Sequence, residues 1–380
     1  MNRKILTITK IKVRMNNMVE LELNKVIGDV KADFKVKLKY RINIVTGDSA
    51  TGKSFLIDGF INAINNGGVW NYKCNKNVIV INTLNTAKAL LSTNTETLFI
   101  MDENITDAIR SGKQDVSMKD IEKSRNYFLI FDRQSTLKIE CNVKAVFKLV
   151  RRSVDNNIEY RLESYFGLDK VNKNNIDVNK YKYLLSEDAK SGKVFFKNIL
   201  TKLITLDLNG QGNGAIARTI NKDIVKSGVL IALDYDVGSI SMQNIINKVL
   251  GNEMIGNIGF IPMESFEELL CNSEFILDAF PEIKDLVINY EDHMDASVKH
   301  SGKYFSKILH EYVKQTPPTL KSNNGKNITK FYEKGAKHIE TCITRDCCEY
   351  NYSNECRLYI NGNKQDKMLS NKFAWLNAFR

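Results

Sequence analysis

One segment limits what this chain can fold into more than any other: residues 42–61, which read INIVTGDSATGKSFLIDGFI. The mostly apolar run at 42–45 predicts a strand, the glycine-bounded stretch at 47–54 predicts a loop, and residues 55–61 predict a helix. The loop fits the pattern G-x-x-x-x-G-K-[ST] at every fixed position. Because the pattern lies between a strand and a helix, as a phosphate-cradling loop requires, it predicts a nucleotide-binding site.

Each fixed residue of this loop has a mechanical reason. Gly47 and Gly52 let the backbone curl so that successive N–H groups point at phosphate oxygens, and the N-terminus of the following helix adds its positive end. Lys53 is expected to reach the β- and γ-phosphates of ATP, and the Ser54 hydroxyl to bind Mg²⁺. The predicted nucleotide-binding residues are Gly47, Asp48, Ser49, Ala50, Thr51, Gly52, Lys53 and Ser54.

An acidic segment downstream, ETLFIMDENI, supplies the other half of such a site. Residues 98–101 predict a buried strand that delivers Asp102 and Glu103 to its carboxyl end. Asp102 is expected to bind the same Mg²⁺ as Ser54, and Glu103 to polarise the attacking water. The simpler alternative is a strand that ends in a solvated acidic turn. A third predicted strand ends at Arg133, for which γ-phosphate sensing and a structural salt bridge are both open.

The predicted strands LTITKIKVR, MVELEL and FKVKLKY before the loop make residues 1–165 resemble an ABC-type ATPase, such as those of the overcoming-lysogenization-defect (OLD) family. Two features of that family are missing. No LSGGQ-type signature lies between Ser54 and Asp102. The switch histidine of the family is also missing, because no histidine precedes His293. The similar LNGQGNG at residues 208–214 follows Asp102 and is out of order. The resemblance therefore implies nucleotide binding and leaves hydrolysis open.

After residue 165 the composition and the apolar periodicity of the sequence change. Residues 166–180 are polar, rich in Asn and Lys and without apolar periodicity, which predicts a linker. Strand and helix patterns then alternate over residues 181–290, which predicts a parallel sheet covered on both faces. Such sheets bind ligands at the carboxyl ends of their strands. Because clustered carboxylates repel one another unless a cation neutralises them, the sequence predicts a Mg²⁺ or Mn²⁺ site at Glu187, Asp234 and Asp236.

A Glu after one strand and an Asp-x-Asp after a later strand resemble the Toprim domain of topoisomerases, primases and OLD-type nucleases. The matching residues are Glu187, Asp234 and Asp236. The resemblance implies that this trio holds divalent metal for breaking or joining phosphodiester bonds. The sequence departs from the usual D-x-D-x-x-G pattern, because Gly238 comes one residue early.

Two further segments of this region carry alternatives. MESFEELL places Glu264, Glu267 and Glu268 after the next predicted strand, where each suits a second metal or the start of a helix. The spacing from Ser265 to Glu268 favours a capping box for Glu268, and Glu264 is left open. The glycine-rich residues 210–214 suit phosphate binding or, more simply, a tight strand-to-helix turn.

Residues 291–380 predict a small helical, cysteine-containing region. Zinc bound by four of its thiols is one interpretation, but their spacing lacks the paired C-x-x-C knuckles of zinc sites. A small packed subdomain of buried and free thiols is the interpretation we favour. These thiols belong to Cys342, Cys347, Cys348 and Cys356.

The composition narrows the class of protein. The net charge of +11 is typical of a protein with a nucleic-acid partner, although an even spread of Lys over solvated faces explains it as well. Seven cysteines, an odd number in a long chain, favour a reducing compartment. No apolar run approaches the ~18 residues that span a bilayer, and no signal-peptide pattern is present at the N-terminus. We therefore expect a cytoplasmic protein without a membrane partner; a homo-oligomer is also expected.

These observations together predict an α/β protein: a P-loop NTPase (ABC-like) domain, a Toprim-like parallel-sheet domain, and a small cysteine-containing C-terminal region. The resemblance to OLD proteins implies an ATP-regulated, metal-dependent nuclease that acts on DNA in defence against phage or foreign DNA. The alternative is an ATP-dependent sensor or binding module whose Toprim-like site is not catalytic. A strand-joining enzyme of the primase or topoisomerase type is disfavoured, because no tyrosine nucleophile can be placed from the sequence.

Overall fold

The structure is a computed structural model of the chain. It describes residues 18–47, 51–65, 68–83, 86–111, 116–133, 139, 141–155, 157–166, 177–187, 191–209, 214–235, 239–251, 257–294, 301–314, 321–322, 350–351 and 369–379.

Within the described part of the first half of the chain, nine strands form one mixed sheet. In chain order they are β1 (Val19–Ile27), β2 (Val30–Leu38), β3 (Ile42–Thr46), β4 (Trp70–Cys74), β5 (Val78–Ile81), β6 (Leu98–Met101), β7 (Tyr127–Asp132), β8 (Val146–Val154) and β9 (Asn157–Ser164). Their order across the sheet is β4-β1-β2-β9-β8-β3-β7-β6-β5. β3 pairs in parallel with β8 and β7, and the parallel run continues through β6 to β5. Antiparallel hairpins β1–β2 and β8–β9 build the other side.

Helices cover both faces of this sheet, because its central strands are apolar on both sides. They are α1 (Lys53–Ile64), α2 (Ala87–Thr93), α3 (Glu103–Arg110) and α4 (Met118–Lys123). On one face, Leu56 and Phe60 of α1 join a core with alternate residues of β6 and β7. On the opposite face, Ile105 of α3 and Ile121 of α4 join a second core with the other set of alternate residues of β6 and β7. The strand β3, and the loop that follows it, therefore lie inside a sheet covered on both sides.

Four strands among the residues described in the second half form a separate sheet in which the pairings are parallel, as the sequence predicted. They are β10 (Tyr183–Ser186), β11 (Ile204–Thr205), β12 (Val229–Ala232) and β13 (Ile258–Ile261). The order is β11-β10-β12-β13. The chain is thus an α/β protein with a large mixed sheet and a smaller parallel one.

Short helices surround the second sheet. They are α5 (Ser191–Ile199), α6 (Ala215–Thr219), α7 (Lys222–Lys226), α8 (Ser239–Gly251), α9 (Phe266–Cys271), α10 (Glu274–Ala279), α11 (Lys284–Ile288), α12 (Tyr290–His293) and α13 (Ser301–Lys314). Turns of 3-10 helix lie at Val143–Ala145, Val178–Lys180, Pro281–Ile283 and Asn371–Phe379, and β14 (Lys321–Ser322) pairs with β15 (Tyr350–Asn351). Within the described ranges, no helix combines the length and the apolar character needed to cross a bilayer.

The apolar spacing of residues 215–225 predicts one helix, but the structure has two helices there. α6 ends before Ile220, whose backbone is extended. The side chain of Asn221 then accepts a hydrogen bond from Ile224 N and caps the start of α7. Because Asn competes for backbone donors in this way, it divides a segment whose apolar spacing is helical throughout.

The core of the second sheet continues past residue 290, where the sequence placed a domain boundary. Phe305 and Leu309 of α13, together with Phe373 and Phe379 near the C-terminus, are buried in the same cluster as Leu230 of β12. The described C-terminal residues therefore complete this core.

Candidate nucleotide site and acidic pair

The glycine-bounded loop connects β3 to α1, as predicted. All residues of β3 are buried, and α1 begins at Lys53, two residues earlier than the predicted helix start. Of the predicted binding residues, Gly47 and those from Thr51 to Ser54 are described, whereas Asp48, Ser49 and Ala50 lie outside the described residues. The loop therefore places the N-terminus of α1 beside the carboxyl end of β3, the arrangement in which helix N–H groups bind anions.

Gly52 is held in a position that only glycine suits. Its φ is +99°, and a Cβ there would lie 2.4 Å from a ring carbon of Tyr160. The Tyr160 ring, which is buried, also stacks on Phe55 with centroids 5.6 Å apart. The loop is thus packed beneath an aromatic residue of β9.

Lys53 lies against the loop that precedes it. The side chain is only 6% exposed, and its Nζ donates to the carbonyl oxygen of Gly47 among its contacts. The ammonium group is therefore placed over the loop into which phosphates were predicted to bind.

The acidic residues after β6 take two different positions. Asp102 caps α3, since its carboxylate accepts hydrogen bonds from Glu103 N at 2.7 Å and from Asn104 Nδ2 at 3.2 Å. The Glu103 carboxylate instead accepts from Nε and Nη2 of Arg133, at 3.0 and 2.7 Å. The salt bridge, one of the two alternatives for Arg133, is the arrangement observed. This hydrogen-bonded pair raises the pKa of Arg133.

A cavity of about 370 Å³ brings these elements together. Asp102 is not one of the residues that line it. The lining consists of Thr51, Gly52, Lys53, Ser54, Phe55, Glu103, Arg133, Arg151, Ile158 and Tyr160. The predicted loop and Glu103 thus share one cavity. The contribution of the β8–β9 hairpin was missed by sequence reasoning, because it depends on which strands are neighbours in the sheet.

On the second sheet, the structure brings two of the three predicted metal-binding residues together, through a backbone hydrogen bond of one to the carboxylate of the other. Glu187 follows β10 and Asp234 follows the neighbouring strand β12. The backbone N–H of Asp234 donates to Glu187 Oε2 at 3.3 Å. Asp236, the third predicted ligand, lies outside the described residues. Among the residues that are described, no group of three or more His, Cys, Asp or Glu side chains has the geometry to hold a metal ion.

Tyr235, between the two aspartates of the pattern, ties this edge to the first sheet. Its carbonyl oxygen accepts a hydrogen bond from Val143 N at 2.8 Å, and its own N–H donates to the Glu264 carbonyl at 3.1 Å. The ring is buried, and Lys144 Nζ lies 5.4 Å from its centroid. The 3-10 turn before β8 is therefore in direct contact with the loop that carries Asp234.

Glu264 forms a buried junction between the two halves. Its carboxylate accepts hydrogen bonds from Lys144 at 2.7 Å, Tyr290 at 2.8 Å, Tyr40 at 3.1 Å, and Asn142. Burial alone would raise the pKa of Glu264, but the charges of Lys144 and Lys372 and the hydrogen bonds from Lys144 and Tyr290 outweigh it and lower the pKa. Neither alternative left open for Glu264, a metal ligand or a helix start, describes this arrangement.

Ser265 and Glu268 form half of the predicted capping box. The Ser265 hydroxyl accepts from Glu268 N at 3.3 Å. The Glu268 carboxylate turns to Glu264 N at 2.7 Å and to the ammonium of Lys372. Burial raises the pKa of Glu268 despite Lys372. The second half of the box is thus replaced by a contact one residue earlier.

The remaining candidates are described only in part. Cys342, Cys347, Cys348 and Cys356 lie outside the described residues, so the zinc interpretation stays a prediction. Of the glycine-rich loop, Gly214 is described and directly precedes α6.

A scan against protein-family models finds no family that matches this chain. A search of curated proteins finds no matching relative either.

Proposed function

We propose that this protein is an ATP-binding, metal-dependent nuclease, in which a nucleotide site on the first sheet regulates an acidic site on the second. The proposal retains the P-loop ATPase and Toprim-like assignments that the sequence resemblances imply. DNA is the proposed substrate, and defence against phage or foreign DNA is the proposed role.

One observation carries the proposal: the cavity beside α1 gathers the groups that a nucleoside triphosphate requires. The loop contributes Lys53 and Ser54 at a helix N-terminus, and the segments that follow β6 and β7 contribute Glu103 and Arg133. Lys53 and Arg133 would complement phosphate charge, and Glu103 would act on an attacking water. Ser54 and Asp102 are the residues that would hold Mg²⁺, which when bound neutralises charge on the phosphates.

The acidic pair supports the nuclease part. Glu187 and Asp234 end neighbouring parallel strands, and their carboxylate oxygens are the hard ligands that Mg²⁺ and Mn²⁺ prefer. With Asp236 they would hold a divalent metal, which when bound supplies an activated water and charge stabilisation for phosphodiester cleavage. The contact of Tyr235 with Val143 gives the nucleotide-binding half a physical route to this edge.

A nuclease assay on plasmid DNA, in Mg²⁺ or Mn²⁺ and with or without ATP, tests the proposal. The double substitution Asp234→Asn, Asp236→Asn keeps the shape of both side chains but removes two negative charges. Cleavage should fall by about a hundredfold or more, because the metal supplies both the water and the charge stabilisation. Lys53→Ala should leave the acidic pair intact and remove the effect of ATP on the rate.

The matched control is Asp223→Asn, Asp278→Asn, which removes the same charge at two exposed positions and should cut like wild type. Equal cleavage by the acidic-pair variant and this control would contradict the nuclease. A wild-type protein that binds ATP yet cuts no nucleic acid with either metal supports the alternative, an ATP-dependent sensor with a non-catalytic acidic site.

A further inference from the structure

Strand β8 extends over the loop that follows β3. The parallel register pairs Ile44 with Val146, and it pairs Thr46, the last residue of β3, with Lys148. β8 then continues to Val154. Arg151 is three residues past Lys148, about 10 Å farther along the strand at the usual rise per residue. Arg151 therefore stands beyond the carboxyl end of β3, beside the loop.

The alternation of side chains directs Arg151 to the same face as α1. Leu149 shares a buried core with Leu56 of α1, and residues two apart on a strand lie on one face. Arg151 is directly opposite Tyr160 in the β8–β9 hairpin, and both line the cavity with Lys53. Arg152 lies on the other face.

The charges of the hairpin set Arg151 apart from its neighbours. Arg152 pairs with Glu163 at 2.8 Å, and Arg161 pairs with Glu159 at 2.6 Å. Among the residues that the structure describes, Arg151 forms no salt bridge. Counting only described residues, the cavity lining holds three cationic side chains, those of Lys53, Arg133 and Arg151, against one carboxylate, that of Glu103, which Arg133 already binds. The cavity is therefore built for an anion with more than one negative charge.

We infer that Arg151 is a phosphate-binding residue of the nucleotide site, supplied by β8 and directed at the phosphate chain of a nucleoside polyphosphate. The inference rests on the proposed function and adds to it a ligand outside the loop. A planar guanidinium suits phosphate because it donates two parallel hydrogen bonds. Arg151 thus holds phosphate from the side opposite Glu103 and Arg133.

The test is equilibrium binding of a fluorescent ATP analogue to the full-length chain, with inorganic tripolyphosphate as competitor. Arg151→Ala should weaken both ligands at least about tenfold, the order expected when a hydrogen bond between charged groups is lost. Arg151→Lys should restore part of the affinity, and the affinity of wild type should fall more steeply with salt than that of Arg151→Ala. Arg152→Ala is the matched control, with the same charge change one residue away on the opposite face, and should bind like wild type.

The outcomes separate the inference from the function on which it rests. Wild-type protein that binds neither ligand overturns both. Wild-type binding with equal affinity for Arg151→Ala and Arg152→Ala overturns the inference and leaves the nucleotide site. A loss of ATP affinity with unchanged tripolyphosphate competition also overturns it, since Arg151 would then contact the base or ribose. Arg151 is exposed, so its replacement should leave the fold intact. Unchanged thermal melting of the variant then excludes misfolding as the cause of a lost affinity.

Discussion

At the scale of single residues, the backbone at Gly52 shows how closely the loop is packed. Its φ of +99° disfavours any side chain, and the Tyr160 ring occupies the space that a methyl group would need. Gly28 has a φ of +55° but nothing within 4 Å of a Cβ. The two glycines therefore separate the cost of backbone conformation from the cost of the ring contact.

We predict that Gly28→Ala lowers the free energy of unfolding by about 1–2 kcal/mol, the cost of left-handed backbone. Gly52→Ala should cost about 1–3 kcal/mol more, because Tyr160 must move as well. Urea denaturation of both variants measures the difference. Equal costs would mean that the ring yields freely.

At the scale of elements, Arg41 joins α4 to the sheet through hydrogen bonds of its side chain. Its guanidinium donates to the carbonyl oxygens of Ile121 at 3.1 Å and Glu122 at 2.9 Å, and to those of Ser124 and Asn126 at 3.0 and 3.4 Å. The carbonyls of Ile121 and Glu122 lie in the last turn of α4, where a helix leaves carbonyl oxygens without intrahelical partners. Burial lowers the pKa of Arg41 to about 10, so it stays charged at neutral pH.

Arg41→Met should destabilise the protein by about 3 kcal/mol, since buried carbonyls lose their donor. Arg125→Met, an exposed change in the same turn, should stay within about 0.5 kcal/mol of wild type. Thermal or chemical denaturation compares them. A loss shared equally by both variants would rule out capping by Arg41.

How far the sequence predicts an element depends on whether its signal is local. β6 was predicted at residues 98–101 and is observed there, because four apolar residues run directly into acidic ones. The hairpin that carries Arg151 and Tyr160 was not predicted, because charged residues interrupt its apolar pattern. Its place over Gly52 depends on strand order. The site is thus predictable where it is contiguous in the chain and not where distant strands complete it.

At the scale of the whole molecule, Glu264 links the two sheets through a buried charge. Glu264 forms an ion pair with Lys144. Removing one partner of a buried ion pair leaves the charge of the other unpaired. Because the folded pKa of Glu264 is lowered, its stabilisation is complete above the ordinary value of 4.5 and is lost as the pH falls below it. The junction is thus a source of acid sensitivity.

We predict that Glu264→Gln costs about 3–5 kcal/mol at pH 7, because it breaks a buried pair with Lys144. The penalty should shrink as the pH falls from 4.5 toward about 2, because unfolded wild type takes up a proton on Glu264 in this range while the folded protein still holds the charge. Glu267→Gln, in the first turn of α9, is the control and should change stability little. Denaturation at pH 7 and pH 3.5 measures the effect. A penalty that does not change between the two would contradict the lowered pKa.

The contacts of this junction do not require an unbroken chain. Val143 with Tyr235 and Lys144 with Glu264 join residues on either side of positions 167–176, and so does the salt bridge of Lys39 with Glu291 at 2.7 Å. A protein cut within that segment would therefore behave as two complementary fragments. Each fragment alone would expose one partner of each of these two ion pairs. Mixing the fragments would restore both ion pairs at once. Assembly would then depend on fragment concentration, as it does for any obligate pair of chains.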